Sequence, residues 1–199
     1  MPVRTTLWKI RTQPELLAES ALSKEHLLEE MIVNAPLLLS DGWMLIGQQE
    51  DTGYGGRIDL LGITPDGSIV LIELKKDRTP RDVVAQALDY AHWVERLRAE
   101  EIAAIYGRFA PGRSLVDDFR QRFGHALDEE QLNQSHQIII VAATIDDSTE
   151  RIVLYLSERE IPINILCFQV FANGVDKFLS RTWLIDPVRT QGNAVTPPT

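Results

Sequence analysis

Cysteine is almost absent from this sequence: Cys167 is the only one in 199 residues. A single cysteine cannot form a disulfide within the chain, and it cannot supply the paired thiolates of a structural zinc site. Cys167 lies in the apolar run INILCFQVF, which favours a buried small hydrophobe. Disulfide-stapled domains and paired-cysteine zinc domains are therefore excluded.

Long apolar runs are also lacking. No segment approaches the roughly 20 residues that cross a bilayer, so no transmembrane span and no membrane partner are predicted. The first ten residues, MPVRTTLWKI, lack the apolar centre of a secretory signal. A cytoplasmic location is the default expectation.

Positive charge is in short supply, with 20 Lys and Arg against 29 Asp and Glu and a net charge of −9. This balance argues against a basic nucleic-acid coat protein. It does not argue against a nuclease, because carboxylates that hold divalent cations are acidic until the metal binds. The four histidines show no metal-ligand spacing, GYGG (53–56) lacks the rest of a P-loop, and no serine lies in a nucleophile elbow.

The length and the 44% hydrophobic and 25% charged residues are ordinary for one globular domain. Hydrophobic periodicity and end signals predict an α/β fold. The predicted elements in chain order are a strand at 5–10, a helix from Ser23 to about Val33, strands at 43–48, 57–64 and 68–75, a helix from Thr79 to about Ala99 or beyond, a helix at 114–123, a strand at 137–143, a helix at 148–158 and a strand at 163–171. The last two strands should be parallel, with the helix crossing over between them.

This order predicts an α-β-β-β-α-β core with a central mixed sheet flanked by helices. We expect an N-terminal extension at 1–21, the main domain at 22–187 and a disordered tail at 188–199, which includes TQGNAVTPPT.

Charged side chains interrupt two apolar strands, Asp59 in RIDLLGIT and Glu73 and Lys75 in SIVLIELK. Strand side chains alternate faces, so Glu73 and Lys75 share one face. Between the strands, Pro65-Asp66-Gly67 suits a type I turn followed by a left-handed glycine, which makes a three-residue hairpin loop.

That loop sets the register of the hairpin. Thr64 opposes Ser68, and counting back places Asp59 opposite Glu73, with their Cβ atoms about 4.5–5.5 Å apart. A two- or four-residue loop would put the two carboxylates on opposite faces. Their repulsion needs compensation, from Lys75 and from a divalent cation of the kind that carboxylates, water and phosphate hold. The alternative is a solvated polar edge, which the strongly apolar strands disfavour.

These residues resemble the PD-(D/E)XK nuclease superfamily, in which an aspartate on one strand precedes Glu-x-Lys on the next. GRIDLLGITPDGSIVLIELKKDRTPRDVVAQALDY is most similar to the nuclease domain of NucS-type endonucleases, and the resemblance covers most of residues 22–171. It implies a restriction-endonuclease-like fold. It also implies that Asp59 and Glu73 bind a metal ion and that Lys75 positions the attacking water. We expect the ion to be Mg²⁺ or Mn²⁺, with the Leu74 carbonyl as a candidate further ligand.

The resemblance also assigns roles on two helices. A glutamate on the preceding helix completes the site in that family, and Glu29 matches it best, with Glu30 as the alternative. A downstream Gln-x-x-x-Tyr matches Gln86 and Tyr90. On its own helix, Gln86 is the polar member of an apolar stripe, so it bonds either near the metal and phosphate or to a backbone group.

Basic residues surround the predicted site. Arg57, Lys76, Arg78 and Arg81 form the densest local positive charge in the chain, and Thr79 is predicted to cap a helix N-terminus beside them. Together with Tyr90 they are predicted to contact nucleic acid, whereas each one alone is typical of a solvated surface.

The sequence therefore predicts a metal-dependent nuclease, with DNA favoured over RNA by resemblance. The alternatives are a nuclease-fold module that binds nucleic acid or assembles without cutting, and a globular domain whose acidic pair is neutralised by Lys75 alone. NucS-type enzymes carry a separate N-terminal DNA-binding domain, and only about 20 residues precede the nuclease helix here, so mismatch or flap specificity is not implied. Those residues and the segment 106–135 are candidates for a homodimer interface.

Overall fold

A mixed sheet lies at the centre of the computed structural model, which describes residues 5–21, 25–53, 55–79 and 81–195. The strands in chain order are β1 (Trp8–Lys9), β2 (Glu15–Leu16), β3 (Ala18–Ser20), β4 (Met44–Asp51), β5 (Arg57–Ile63), β6 (Ile69–Thr79), β7 (His136–Ile145), β8 (Ile163–Asn173) and β9 (Asp176–Trp183). The helices are α1 (Glu25–Asn34), α2 (Asp82–Val94), α3 (Ala99–Phe109), α4 (Leu115–Phe123), α5 (Asp147–Ser157) and α6 (Pro187–Val195), and a 3-10 turn covers Pro36–Leu38.

The main sheet has the strand order β3-β8-β7-β6-β5-β4, with β9 also paired to β8. Strands β6, β7 and β8 run parallel, and the other neighbours are antiparallel. Helix α5 connects the parallel pair β7 and β8, as the apolar runs predicted. The predicted α/β class with a central mixed sheet is confirmed.

Both faces of the sheet are covered because the inner strands are apolar on both sides. Leu61 and Leu71 are fully buried in the cluster that includes residues of α2, α3 and α4. Leu60 and Ile72, one position along each strand, are fully buried in the cluster that includes Leu28 of α1. The period-two alternation of β5 and β6 thus separates two packed layers.

Helix α2 is shorter than predicted, because it ends at Val94 and a separate helix begins at Ala99. The Asn133 side chain donates to the carbonyl oxygens of Val94 at 2.7 Å and Leu97 at 2.9 Å. Glu101 Oε2 then accepts from Arg98 N at 2.9 Å at the start of α3. A residue remote in sequence therefore hydrogen-bonds to carbonyls at the break between the two helices.

Thr79 is not the helix cap that the sequence predicted. It is the last residue of β6, fully buried, and Arg81 precedes the first turn of α2. The Thr79 hydroxyl accepts from Asp146 N at 3.2 Å, and its carbonyl accepts from the Thr149 hydroxyl at 3.0 Å. Thr79 instead hydrogen-bonds to residues at the start of α5. The helix N-terminus that was predicted to attract phosphate at Thr79 therefore does not lie there.

The predicted disordered tail is wrong as far as residue 195, and residues 196–199 lie outside the described part. Strand β8 continues through a tight loop, with Gly174 at φ 65°, into β9, which the sequence reading missed. Helix α6 follows, with Asp186 Oδ1 accepting from Val188 N at 3.0 Å. Its Thr190 is buried against Asn164 of β8.

The N-terminal segment is ordered into strands. The strand predicted at 5–10 is the two-residue β1, paired with β2, and β3 extends the main sheet beside β8. Ser23, predicted to begin the first helix, lies outside the described residues. Within the described ranges, no helix combines the length and the apolar character needed to cross a membrane.

Candidate active site at the open end of the β5–β6 hairpin

The hairpin loop has the predicted geometry. Thr64 N donates to Ser68 O at 3.0 Å and Gly67 N donates to Thr64 O at 3.0 Å, and Gly67 has φ +85°. The strands pair Ile63 with Ile69, which is the register of a three-residue loop. The predicted register is confirmed.

Backbone pairing between β5 and β6 ends at Leu60 and Ile72, one position before Asp59 and Glu73. The Asp59 Oδ2 atom accepts from Leu74 N at 2.8 Å. Since the strands are no longer paired there, the carboxylate takes the place of a strand carbonyl on this N–H. The aspartate therefore lies where the two strands separate.

Glu73 and Lys75 form an ion pair, with Lys75 Nζ donating to Glu73 Oε1 at 2.8 Å. The Glu73 side chain is 1% exposed and the Lys75 side chain 24%. The pair thus runs from the interior to the surface. Lys75 also acts on Asp59, because its charge lowers the pKa of that carboxyl.

Burial is the largest influence on Asp59 and raises the pKa of its carboxyl above the usual range. The Leu74 N–H, the Lys75 charge and the Gln49 amide lower this pKa, and the Glu29 charge raises it. The charged form is therefore disfavoured by burial and supported by its neighbours. A nearby cation would therefore stabilise the charged form of the Asp59 carboxylate.

Gln49 is a site residue that the sequence analysis missed. Its Nε2 donates to Asp59 Oδ1 at 3.1 Å and to Glu29 Oε1 at 2.9 Å. The neighbouring Gln48 Nε2 donates to the same Glu29 oxygen at 3.0 Å. The available signal was the polar pair Gln48-Gln49 at the end of the apolar strand MLIG.

Glu29, rather than Glu30, belongs to this network. Glu29 is 6% exposed and lies on the inner side of α1, whereas Glu30 is exposed and approaches His26 at 3.2 Å. The Gln49 amide links Glu29 to Asp59 by hydrogen bonds. Of the two candidates, Glu29 is the one that contacts Gln49, and its role in the site stays a prediction.

Gln86 donates to Tyr90 Oη at 2.9 Å, so its observed partner is a side chain of its own helix and not a backbone group. The Tyr90 ring is 5% exposed and packs on Gly56, where a Cβ atom would lie 2.3 Å from Tyr90 Oη. Contact between this buried ring and nucleic acid is therefore disfavoured. Gln86 is half-buried and more accessible.

The predicted basic residues are only partly described. Arg57 at the start of β5 and Arg81 before α2 are both exposed, and Arg81 Nε lies 4.0 Å from Asp82. The side chains of Lys76 and Arg78 lie outside the described part of the structure. The contribution of all four to nucleic-acid binding stays a prediction.

The oxygen donors fit a hard divalent cation. Each Asp59 oxygen accepts one hydrogen bond and keeps a further lone pair. Among the described residues, no three His, Cys, Asp or Glu side chains converge as a metal site. Magnesium commonly takes only one or two carboxylates and completes its shell with water and substrate phosphate, so Asp59 and Glu73 remain suitable for it.

The segment that contains the candidate site also matches a known protein family. Residues 24–118 match the family model described as the endonuclease NucS C-terminal domain. Over these residues the chain is NucS-like. The match covers just under half of the chain and includes α1, the β5–β6 hairpin and α2. It confirms the resemblance seen in the sequence and supports a nuclease function.

Solved structures also match this chain, each with a TM-score below 0.5. A repair endonuclease from Pyrococcus abyssi is 15% identical, with a TM-score of 0.41, and covers 75% of this chain and 61% of its own. An EndoMS–dsDNA complex is 18% identical, with a TM-score of 0.45 and coverages of 82% and 64%. Apo EndoMS is 18% identical, with a TM-score of 0.39 and coverages of 76% and 60%. The NucS-like chain thus spans about three-fifths of the length of these structures.

Proposed function

We propose that this chain is a metal-dependent nuclease that hydrolyses phosphodiester bonds, with DNA as its substrate. One observation carries the proposal: at the open end of a NucS-like hairpin, Asp59 is held by Leu74 N and Gln49 while Lys75 pairs with Glu73. A half-buried carboxylate on Asp59 and a buried one on Glu73, beside a part-exposed ammonium, are suited to phosphoryl chemistry.

Asp59 and Glu73, with the Leu74 carbonyl, would hold Mg²⁺ or Mn²⁺. The ion would polarise the phosphate and make water more acidic. The Lys75 ammonium would orient the attacking water and stabilise the negative charge that develops on the phosphate oxygens. The water oxygen forms the new bond to phosphorus, the bond to one sugar oxygen breaks, and that oxygen leaves with a proton.

The exposed Arg57 and Arg81, with Lys76 and Arg78, would hold the flanking phosphates. Their contribution would be sequence-independent and would weaken as salt rises, because bound phosphates release counterions. Because the chain carries a net charge of −9, this attraction would be local to the site and not general to the surface. Such a surface favours local contact with a strand over coating of a long duplex.

The test is cleavage of a labelled DNA duplex in Mg²⁺, Mn²⁺ or EDTA, with single-stranded DNA and RNA in parallel. A duplex is the first substrate to try because EndoMS, which has a similar fold, was solved with double-stranded DNA. We expect cutting only with metal, and an Asp59→Asn variant reduced to background. The matched control is Asp117→Asn, at an exposed position of α4.

Two results would oppose the proposal. Equal cutting by wild type and Asp59→Asn would place the activity elsewhere, in a contaminant or another site. Metal-independent DNA binding without cutting of any substrate would favour a nuclease-fold binding module.

A further inference from the structure

Gln49 joins two carboxylates that come from different elements of the fold. Glu29 lies on α1 and Asp59 on β5. A glutamine amide nitrogen carries two hydrogens, and Gln49 Nε2 directs them to Glu29 Oε1 at 2.9 Å and Asp59 Oδ1 at 3.1 Å. The amide therefore lies between two acidic oxygens, where a bridging cation would otherwise be expected.

The backbone at Gln49 is in an unusual conformation. Its φ is +52°, in the left-handed region that residues other than Gly, Asn and Asp seldom adopt. The next residue, Glu50, is buried and pairs with Arg108 of α3 at 2.5 Å. This ion pair fixes the end of β4, so the strand is held while Gln49 turns its side chain toward the acids.

The Glu29 carboxylate accepts hydrogen bonds from two glutamine side-chain amides. Its Oε1 accepts from Gln48 at 3.0 Å and from Gln49 at 2.9 Å, and His26 Nδ1 lies 3.5 Å from its Oε2. In addition, no set of three metal-ligating side chains converges among the described residues. Both observations fit a centre with few protein ligands, in which Glu29 does not bind metal directly.

We propose that Gln49 is a positioning residue that takes the place of a second cation between Asp59 and Glu29. The centre then accepts one divalent ion, held by Asp59 and Glu73, and Glu29 acts through Gln49 by orienting its amide toward Asp59. This inference rests on the proposed metal-dependent function and specifies how many ions it uses.

The first experiment counts Mn²⁺ ions bound to the full chain by calorimetric titration, without DNA. Wild type should bind one ion. Gln49→Glu replaces the amide with a carboxylate and should bind two, while Gln121→Glu, exposed on α4, should still bind one. Two ions on wild type, or one on Gln49→Glu, would overturn the inference and leave the proposed function intact. No ion on wild type would overturn both.

The second experiment separates positioning from folding. Gln49→Gly removes the amide but keeps a residue that adopts φ +52° freely, so the melting temperature without metal should not fall. Loss of a residue that orients a ligand commonly weakens metal affinity or activity by about 10–100-fold. We expect such a loss in Mn²⁺ affinity and in kcat, with KM for DNA unchanged. Unchanged Mn²⁺ affinity would show that Gln49 does not position Asp59.

Discussion

At the scale of single residues, Lys75 is the most informative residue to change because it interacts with two carboxylates. It donates to buried Glu73 at 2.8 Å, and its charge lowers the pKa of Asp59. In the proposed reaction the same ammonium orients water. The two roles of Lys75 can therefore be separated by removing its charge and testing whether an added cation restores the stability of the fold, the cleavage of DNA, or both.

We predict that Lys75→Met lowers stability in EDTA by about 2 kcal/mol, below the usual cost of breaking a buried pair because Lys75 is partly exposed. For a chain of this length, that corresponds to a melting temperature lower by roughly 4–8 °C. Mn²⁺ should restore part of the loss, since it supplies positive charge to Glu73, but not the cleavage. Thermal melting with and without Mn²⁺ is the measurement.

Lys177→Met, exposed on β9, is the matched control and should melt as wild type does. A Lys75→Met variant as stable as wild type in EDTA would mean that the ion pair contributes nothing to the fold.

Two glycines provide opposite predictions for the same substitution. A Cβ on Gly56 would lie 2.3 Å from Tyr90 Oη, whereas a Cβ on Gly107, inside α3, meets nothing within 4 Å. Gly107→Ala should stabilise the protein by about 0.5–1 kcal/mol, as alanine favours a helix. Gly56→Ala should destabilise it by about 1–3 kcal/mol through overpacking, and denaturant midpoints compare the two. Equal midpoints would show that Tyr90 does not need the space beside Gly56.

At the scale of elements, the β5–β6 hairpin was predictable because its register is set locally. Pro65-Asp66-Gly67 selects the loop, and the loop selects which residues oppose each other. The separation of the strands at Asp59 and the placement of Gln49 were not predictable in this way. The end of β4 is contacted by Glu29 of α1 and by Arg108 of α3, which lie in other parts of the chain.

Gly67 carries a prediction for this hairpin. Its φ is +85°, and an added Cβ would lie 3.3 Å from Gln131 O. Gly67→Ala should cost about 1–2 kcal/mol for the left-handed conformation, while Gly67→Asn should cost less because asparagine tolerates it. Both variants add the same Cβ. The difference between their unfolding free energies therefore measures how much the left-handed backbone conformation costs alanine relative to asparagine. Equal losses would mean that crowding dominates.

The other elements show two kinds of failure in sequence-based prediction. Asn133 bonds to the last residue of α2 from 39 residues away, and no local pattern marks that contact. By contrast, Asp186-Pro187 is a local start signal, an N-cap followed by proline at the first helical position. Helix α6 was therefore detectable, and the proline-rich ending of the sequence obscured it.

At the scale of the whole molecule, pH reports on stability through His136, at the start of the central strand β7. Burial lowers the pKa of His136 below 6.5, and the Glu95 charge opposes this shift. The unfolded chain therefore takes up a proton at a higher pH than the folded chain. Below about pH 6.5 the free energy of unfolding should fall, and the fall should end once the folded imidazole is also protonated.

We predict that His136→Gln flattens this dependence. Urea unfolding at pH 7.5 and 5.5 should show a larger loss of stability for wild type than for the variant, with the difference confined to the acidic condition. His125→Gln, exposed after α4, serves as the control and should behave as wild type. Parallel curves for wild type and His136→Gln would assign the acid sensitivity to other groups.

The proposed function depends on one divalent ion between Asp59 and Glu73, and a crystal of the full chain soaked in Mn²⁺ would locate it. The anomalous map should contain one peak at the open end of the β5–β6 hairpin, within about 2.0–2.4 Å of an oxygen of Asp59 and of Glu73, and no peak at Glu29. An Asp59→Asn crystal treated in the same way should lack the peak. No peak in the wild-type crystal, or a peak away from these two carboxylates, would show that this is not the metal site of a nuclease.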